Sequence, residues 1–283
     1  MKIGVVYPQI ELAGNPEAVR RIGRAAEELG YAHLLAYDHV VGATHDREPT
    51  LWGPYTDRDP FHDPFIMFAY LAGQTQRIEF VTGVIILPQR QTALVAKQVA
   101  DLDLLSGERL RFGVGVGWNY VEYEALGQDF STRGARADEQ IALLRRYWSE
   151  ALVTFNGRFD RVDRGNILPR PQRTMPIWIG GFKDAAFRRG ATLGDGFIFA
   201  GDRAVESWQR VEQFLGEAAR SSVGYGRDLI TNASRSVEDC VRALESWRAS
   251  GGTHASVCTM GMGLDSIDAH IDFMAQVRER VAD

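Results

Sequence analysis

Residues 79–119 read EFVTGVIILPQRQTALVAKQVADLDLLSGERLRFGVGVGWN. Glu79–Leu87 is a β-branched apolar run, the composition of a strand buried on both faces. Thr92–Leu105 follows with Val95, Val99, Leu102 and Leu105 at helical spacing, and Ser106-Gly107 stops it. Leu110–Val116 is a second apolar strand. Strand, helix and strand in this order form a βαβ unit, and its repetition requires a parallel sheet.

The same rhythm continues on both sides. Towards the N-terminus, Lys2–Tyr7 and His33–Tyr37 read as strands flanking a helix. That helix opens at Asn15-Pro16-Glu17, an N-cap, a proline at the first turn and an acid. Ala18, Ile22, Ala25 and Leu29 fall on its inner face, and Gly30 ends it. Gly42–Asp63 breaks the pattern: it is polar, rich in turns, and too long for a connector, which marks a functional excursion. A helix over Pro64–Gln74 leads back to Glu79.

Towards the C-terminus the periodicity predicts a helix at Ala137–Glu150 with Ile141, Leu144 and Trp148 on one face. A hairpin insertion over Leu152–Leu168 turns at Gly157. Strands at Pro176–Ile179 and Gly196–Phe199 alternate with helices at Asp184–Leu193 and Ala204–Ala219. Ser236 caps a helix bearing Val241, Leu244 and Trp247, and Gly251-Gly252 ends it. Strand His254–Met260 and helix Ile267–Val281 complete the series. Seven strands are plain, with a weaker eighth at Asp228–Asn232. Eight such units close a barrel. The expectation is therefore a (β/α)8 TIM barrel with insertion loops, one domain over residues 1–283, its weakest closure in the short stretch Ser221–Ser236.

Composition narrows the function. With 45% hydrophobic and 24% charged residues in 283, the chain has an ordinary globular balance. A net charge of −5 with no basic cluster argues against a nucleic-acid partner. Two cysteines, Cys240 and Cys258, are too few for a disulfide framework, and the six histidines lack metal-ligand spacing, so no metal is expected. No apolar run reaches the roughly 20 residues of a membrane span. The chain opens on an apolar strand without a signal-peptide pattern, so a cytoplasmic protein with no membrane partner is expected.

In such a barrel the chemistry lies in the loops after the strands. Asp38-His39 is the sharpest of these: a histidine at a strand end exchanges protons near neutral pH, and a neighbouring carboxylate can orient it. The alternative is a loop histidine that only caps backbone. Gly113–Gly117 (GVGVG) fails the dinucleotide fingerprint, because the final glycine falls on Trp118 or Tyr120. Its glycines, Gly115 and Gly117 among them, either admit a flat ring close to the strand end or simply pack the barrel interior. Gly180-Gly181 and Ala200-Gly201-Asp202-Arg203 lie near the phosphate-binding region of such barrels, where free N–H groups and Arg203 suit an anion. Trp52, Trp118 and Tyr120 are the expected pocket walls.

Taken in order, GVVYP, AYDHV, FHDPF, EFVTGVIILPQR, KQVADLDLLSGERLRFGVGVGWN, PIWIGG and GDGF resemble the luciferase-like flavin oxidoreductases. The resemblance covers nearly the whole chain and is closest to the actinobacterial branch that uses the deazaflavin coenzyme F420. It implies a homodimeric (β/α)8 barrel, with His39 as the proton-transfer residue and Asp38 beside the cofactor. Thr82, Gly83 and Val84 match a bulge with a cis peptide at Gly83–Val84 behind the ring. Gly180, Gly181, Gly201 and Arg203 match phosphate contacts. One departure is plain: where sugar-phosphate and alcohol dehydrogenases of the family carry glutamate after the glycine run, this chain has Trp118, leaving Glu122 or Glu124 to approach the site.

The function so implied is hydride transfer between F420 and a small organic substrate. The alternative is an FMN-dependent monooxygenase supplied with reduced flavin by a separate reductase, and a further one is a cofactor-binding barrel without turnover.

Overall fold

Apolar runs of four to six residues, each followed by an amphipathic segment, give eight parallel strands with helices between them. The computed structural model describes residues 1–232 and 236–281. The barrel strands are β1 (Lys2–Val6), β2 (His33–Ala36), β3 (Glu79–Thr82, resuming at Ile85–Ile86), β4 (Leu110–Gly115), β5 (Ile177–Gly180), β6 (Gly196–Ala200), β7 (Gly226–Ile230) and β8 (His254–Cys258). They pair in the order β3-β2-β1-β8-β7-β6-β5-β4, and β4 pairs back to β3, closing the barrel. The weak strand is real: β7 starts two residues earlier than the sequence pattern suggested and pairs with both β6 and β8.

Alternation along the strands sorts two cores. Outward residues such as Val5, Leu34, Phe80, Phe112, Ile179, Phe197 and Val257 pack under the helices. Inward residues Val6, Leu35, Val81, Trp178, Ile198, Ile230 and Cys258 meet inside the barrel. The first inward positions are polar. Arg111 donates from Nη1 to Asp228 (2.7 Å) and from Nε to Glu79 (3.1 Å), while His33 meets Ser256 at 2.8 Å. Arg111 also lies 4.5 Å over the Trp178 ring, whose far side is bedded on Gly196 and Gly226.

The helices are α1 (Pro16–Glu28), α2 (Pro64–Ala72), α3 (Thr92–Ser106), α4 (Tyr120–Ala125), α5 (Arg133–Ser149), α6 (Asp184–Leu193), α7 (Ala204–Glu217), α8 (Val237–Ala249) and α9 (Ile267–Arg280). Asn15 and Ser236 cap as expected, and Asp63 caps α2. Two faces turn from expectation. Leu105 is 78% exposed because α3 buries its small residues Ala96 and Ala100 instead. On α1 the buried face runs through Val19 and Ala26, leaving Ala25 and Leu29 half-buried. The insertion hairpin forms from 153–156 and 161–165, next to Gly157.

Candidate functional site

The expected continuous strand Glu79–Leu87 is broken at its centre. The Gly83–Val84 peptide is cis, and the chain re-enters the sheet only at Ile85. Val84 turns its side chain onto Gly115 and Gly180, where an added Cβ would lie 2.5 and 2.8 Å from the valine methyls. The space left by those glycines is thus filled by the protein itself, and the bulge surface at Val84 forms one wall of the barrel mouth. Thr82 is tied to the neighbouring strand, its Oγ1 accepting from Gly113 N and donating to Gly113 O at 2.8 Å each.

Asp38 is committed too. Its buried carboxylate accepts from Ile86 N at 2.9 Å and from Arg90 at 2.7 and 3.3 Å. Arg90 also donates to Asp63 at 2.9 Å, so one guanidinium joins the end of β2, the bulge and the cap of α2. Burial pushes the Asp38 carboxyl above its usual range, and Arg90 opposes that shift. Asp38 therefore braces the bulge, a different task from lying open beside a cofactor.

His39 stands at the mouth with its ring centroid 5.1 Å from Tyr55, 4.8 Å from Phe61 and 5.6 Å from Trp118. Its Nδ1 lies 3.4 Å from Glu122 Oε1. That oxygen also accepts from Val40 N at 2.7 Å and Val41 N at 3.0 Å. Glu122 arrives on α4, whose N-cap Asn119 accepts from Val121 N and Glu122 N and donates from Nδ2 to Val41 O. Of the two carboxylates left open by the sequence, Glu122 reaches His39, whereas Glu124 is exposed.

The excursion after β2 folds over this mouth. Leu51 and Ala43 are buried, and Tyr55 packs against the inner cluster beside Tyr37. Gly53 lies on the face of Trp118, where a Cβ would come within 2.2 Å of the ring. Two expected pocket walls are placed otherwise. Trp52 is 81% exposed, and the Tyr120 hydroxyl donates to Pro49 O, fastening the excursion to α4. Tyr55 and Phe61 take the wall positions beside His39; the sequence signalled them only as part of an overlong loop.

Glu11 is a further group that the sequence did not flag. Its Oε1 accepts from Gly261 N, and its Oε2 is buried with no hydrogen-bond partner among the described residues.

Across the barrel, α6 and α7 start at Lys183 and Arg203, and neither helix has a side-chain cap. Helices α3 and α5 also lack side-chain caps, but Gln91 and Thr132 hold their cap positions. Gly201 has φ 80°, and among the described residues only Asn232 Oδ1, at 3.6 Å, is near its missing Cβ. The Arg203 side chain is exposed and makes no hydrogen bond or ion pair among the described residues. Free helix N–H groups beside a cation with no partner suit a phosphate. Among the described residues no cluster of three His, Cys, Asp or Glu side chains could hold a metal, and no helix is long and apolar enough to cross a membrane.

The chain belongs to the luciferase-like monooxygenase family, whose sequence profile matches residues 1–267. It is 33% identical over 209 residues to the uncharacterized protein Rv0940c of Mycobacterium tuberculosis, 71% of this chain and 72% of that one. It is 29% identical over 229 residues to an F420-dependent glucose-6-phosphate dehydrogenase of Intrasporangium calvum, 78% of this chain and 61% of that one. An FMNH2-dependent dimethylsulfone monooxygenase of Pseudomonas fluorescens is 29% identical over 163 residues, 56% of this chain and 44% of that one. In fold the chain is similar to an F420-dependent secondary alcohol dehydrogenase, with a TM-score of 0.79 at 15% identity, covering 100% of this chain and 99% of that one.

Proposed function

We propose that the protein is an oxidoreductase that moves hydride between coenzyme F420 and a small, largely apolar organic substrate. The observation that carries this reading is His39, an ionisable ring held at the end of β2 among Tyr55, Phe61 and Trp118. Moving hydride to or from a carbon that bears oxygen requires a proton to move on or off that oxygen, and His39 is the group placed to exchange it.

The deazaflavin, when bound, supplies two-electron hydride chemistry with little reactivity towards oxygen. The chain's own residues do the rest. Val84 on the bulge backs the ring, with Thr82 and Gly83 behind it. Ile86, Val84 and Ala186 fill the space at Gly117, Gly180 and Gly181, so close approach is left open at Gly201, where Arg203 with the start of α7 holds phosphate. The excursion, closed on the mouth through Tyr55 and Trp118, excludes water from the reacting atoms. Preference for F420 over FMN draws support from the dehydrogenase relative, which aligns over more of this chain than the FMNH2-dependent one.

Four large apolar side chains exposed on two adjacent helices, Ile66 and Tyr70 on α2 and Leu94 and Leu105 on α3, support a homodimer.

The test is a titration of purified protein with F420 and FMN side by side, followed by cofactor fluorescence. Tight F420 binding with weak FMN binding is expected. The reverse would make the protein a reductase-supplied monooxygenase, and binding of neither would remove the cofactor site.

A further inference from the structure

We infer that Glu122 is the positioning residue of His39, holding its proton on Nδ1 so that Nε2 is the nitrogen that exchanges a proton at the barrel mouth. The inference rests on the reading of His39 given above, but its test does not require the reaction.

Glu122 is 1% exposed, and its place is fixed from both sides. Asn119 holds the start of α4 against Val41 O, and Glu122 Oε1 takes the N–H groups of Val40 and Val41. The carboxylate is thereby anchored to the two residues that directly follow His39. Its Oε1 is 3.4 Å from Nδ1, longer than a good hydrogen bond. Hydrogen bonds of this kind commonly tighten only when a site is filled.

Nothing else among the described residues competes for Nδ1. Among the described residues His39 has no side-chain hydrogen bond, and its ring neighbours are the aromatic Tyr55, Phe61 and Trp118. An ionised carboxylate can only accept, so the nitrogen facing it must carry the hydrogen. In the neutral ring that leaves the lone pair on Nε2. The arrangement also accounts for Trp118. The carboxylate expected directly after the glycine run is supplied four residues later from the first turn of α4, and the vacated position holds an apolar ring against His39.

The experiment uses the full chain labelled with 15N-histidine and long-range 1H–15N spectra at about pH 8.5, where ordinary histidines are neutral. His39→Gln identifies the resonances by their loss. The expected wild-type result is His39 mainly in the Nδ1–H form. Glu122→Ala removes the oxygen that faces Nδ1 and is expected to lower the Nδ1–H fraction of His39. Wild-type His39 mainly in the Nε2–H form, or Glu122→Ala leaving the Nδ1–H fraction unchanged, would overturn the inference. If the variant does not fold, the wild-type spectrum alone decides. Because the spectra need no cofactor, failure to bind F420 or FMN would sink the proposed function and leave this result standing.

Discussion

Asp38 and Arg90 meet in a buried two-pronged ion pair, Nη2 to Oδ1 at 2.7 Å and Nε to Oδ2 at 3.3 Å, directly behind the cis bulge. Asp38 Oδ2 also takes Ile86 N, and Arg90 Nη2 also reaches Asp63. Three segments far apart in sequence are thus locked to one another: the strand end that presents His39, the bulge at Gly83–Val84, and the cap at which the excursion ends. The pair sets where the mouth's wall stands relative to its histidine.

Removing one partner strands a buried charge. Arg90→Met is expected to cost about 3–5 kcal/mol of unfolding free energy. The double variant Arg90→Met/Asp38→Leu should cost clearly less than the two single changes summed, because no fully buried charge is left unpaired; Asp63, which also loses Arg90, is partly exposed. Urea denaturation of the four proteins measures this, and strict additivity would mean that the two groups are not energetically coupled.

The bed of Trp178 gives a second, independent test. A Cβ at Gly226 would lie 2.0 Å from the indole, which is held in place by Arg111 above and His254 edge-on at 5.1 Å. Gly226→Ala should therefore destabilise at the upper end of the usual overpacking range, about 3 kcal/mol. Gly216→Ala is the matched control: it lies in α7, has open space at its Cβ, and should stabilise by roughly 0.5–1 kcal/mol. Equal thermal shifts for the two variants would refute the argument from space.

The barrel was legible because its signals are periodic and repeated: buried strands and amphipathic helices alternate whatever the loops do. What escaped was set by single side chains reaching across the fold. EFVTGVIIL is a largely apolar run, so nothing in its periodicity marks the break at Gly83–Val84; only the likeness to a family did. The acceptor that ties down Ile86 N comes from Asp38, 48 residues away. Helix α4 went unread because six residues show no stripe, although Asn119 followed three positions later by Glu122 is a recognisable N-terminal capping pattern. Trp52 and Tyr120 were picked for their ring size, and a sequence does not say which ring of a long excursion turns inward. Tyr55 does, beside Tyr37 and His39.

Arg203 gives a prediction tied to the proposed function. It is exposed and has no partner among the described residues, so Arg203→Ala should leave thermal stability within about 0.5 kcal/mol. Loss of one charge-assisted hydrogen bond to phosphate, about 1.5–3 kcal/mol, should weaken cofactor binding roughly tenfold to a hundredfold. Fluorescence titration of wild type and variant measures it. Unchanged affinity would place the phosphate elsewhere.

His254 governs the acid limit of the barrel floor. Burial, reinforced by the nearby Arg111 charge, pushes its imidazole down from 6.5 to about 3, and Thr253 Oγ1 meets its Nδ1 at 2.8 Å. The folded ring stays neutral while the unfolded one takes up a proton below its ordinary value, so the unfolded state binds more protons between about pH 6.5 and pH 3. Stability contributed by this site is thus full above that window and falls as pH drops through it. By pH 4.5 the loss is on the order of 2–3 kcal/mol, at 1.36 kcal/mol for each unit below 6.5. His254→Gln removes the titrating group, so its unfolding free energy should fall less than that of the wild type between pH 7 and pH 4.5, by about that amount. Urea denaturation at the two pH values decides the point. Parallel losses in the two proteins would show that His254 is protonated as readily in the folded barrel as in the unfolded chain.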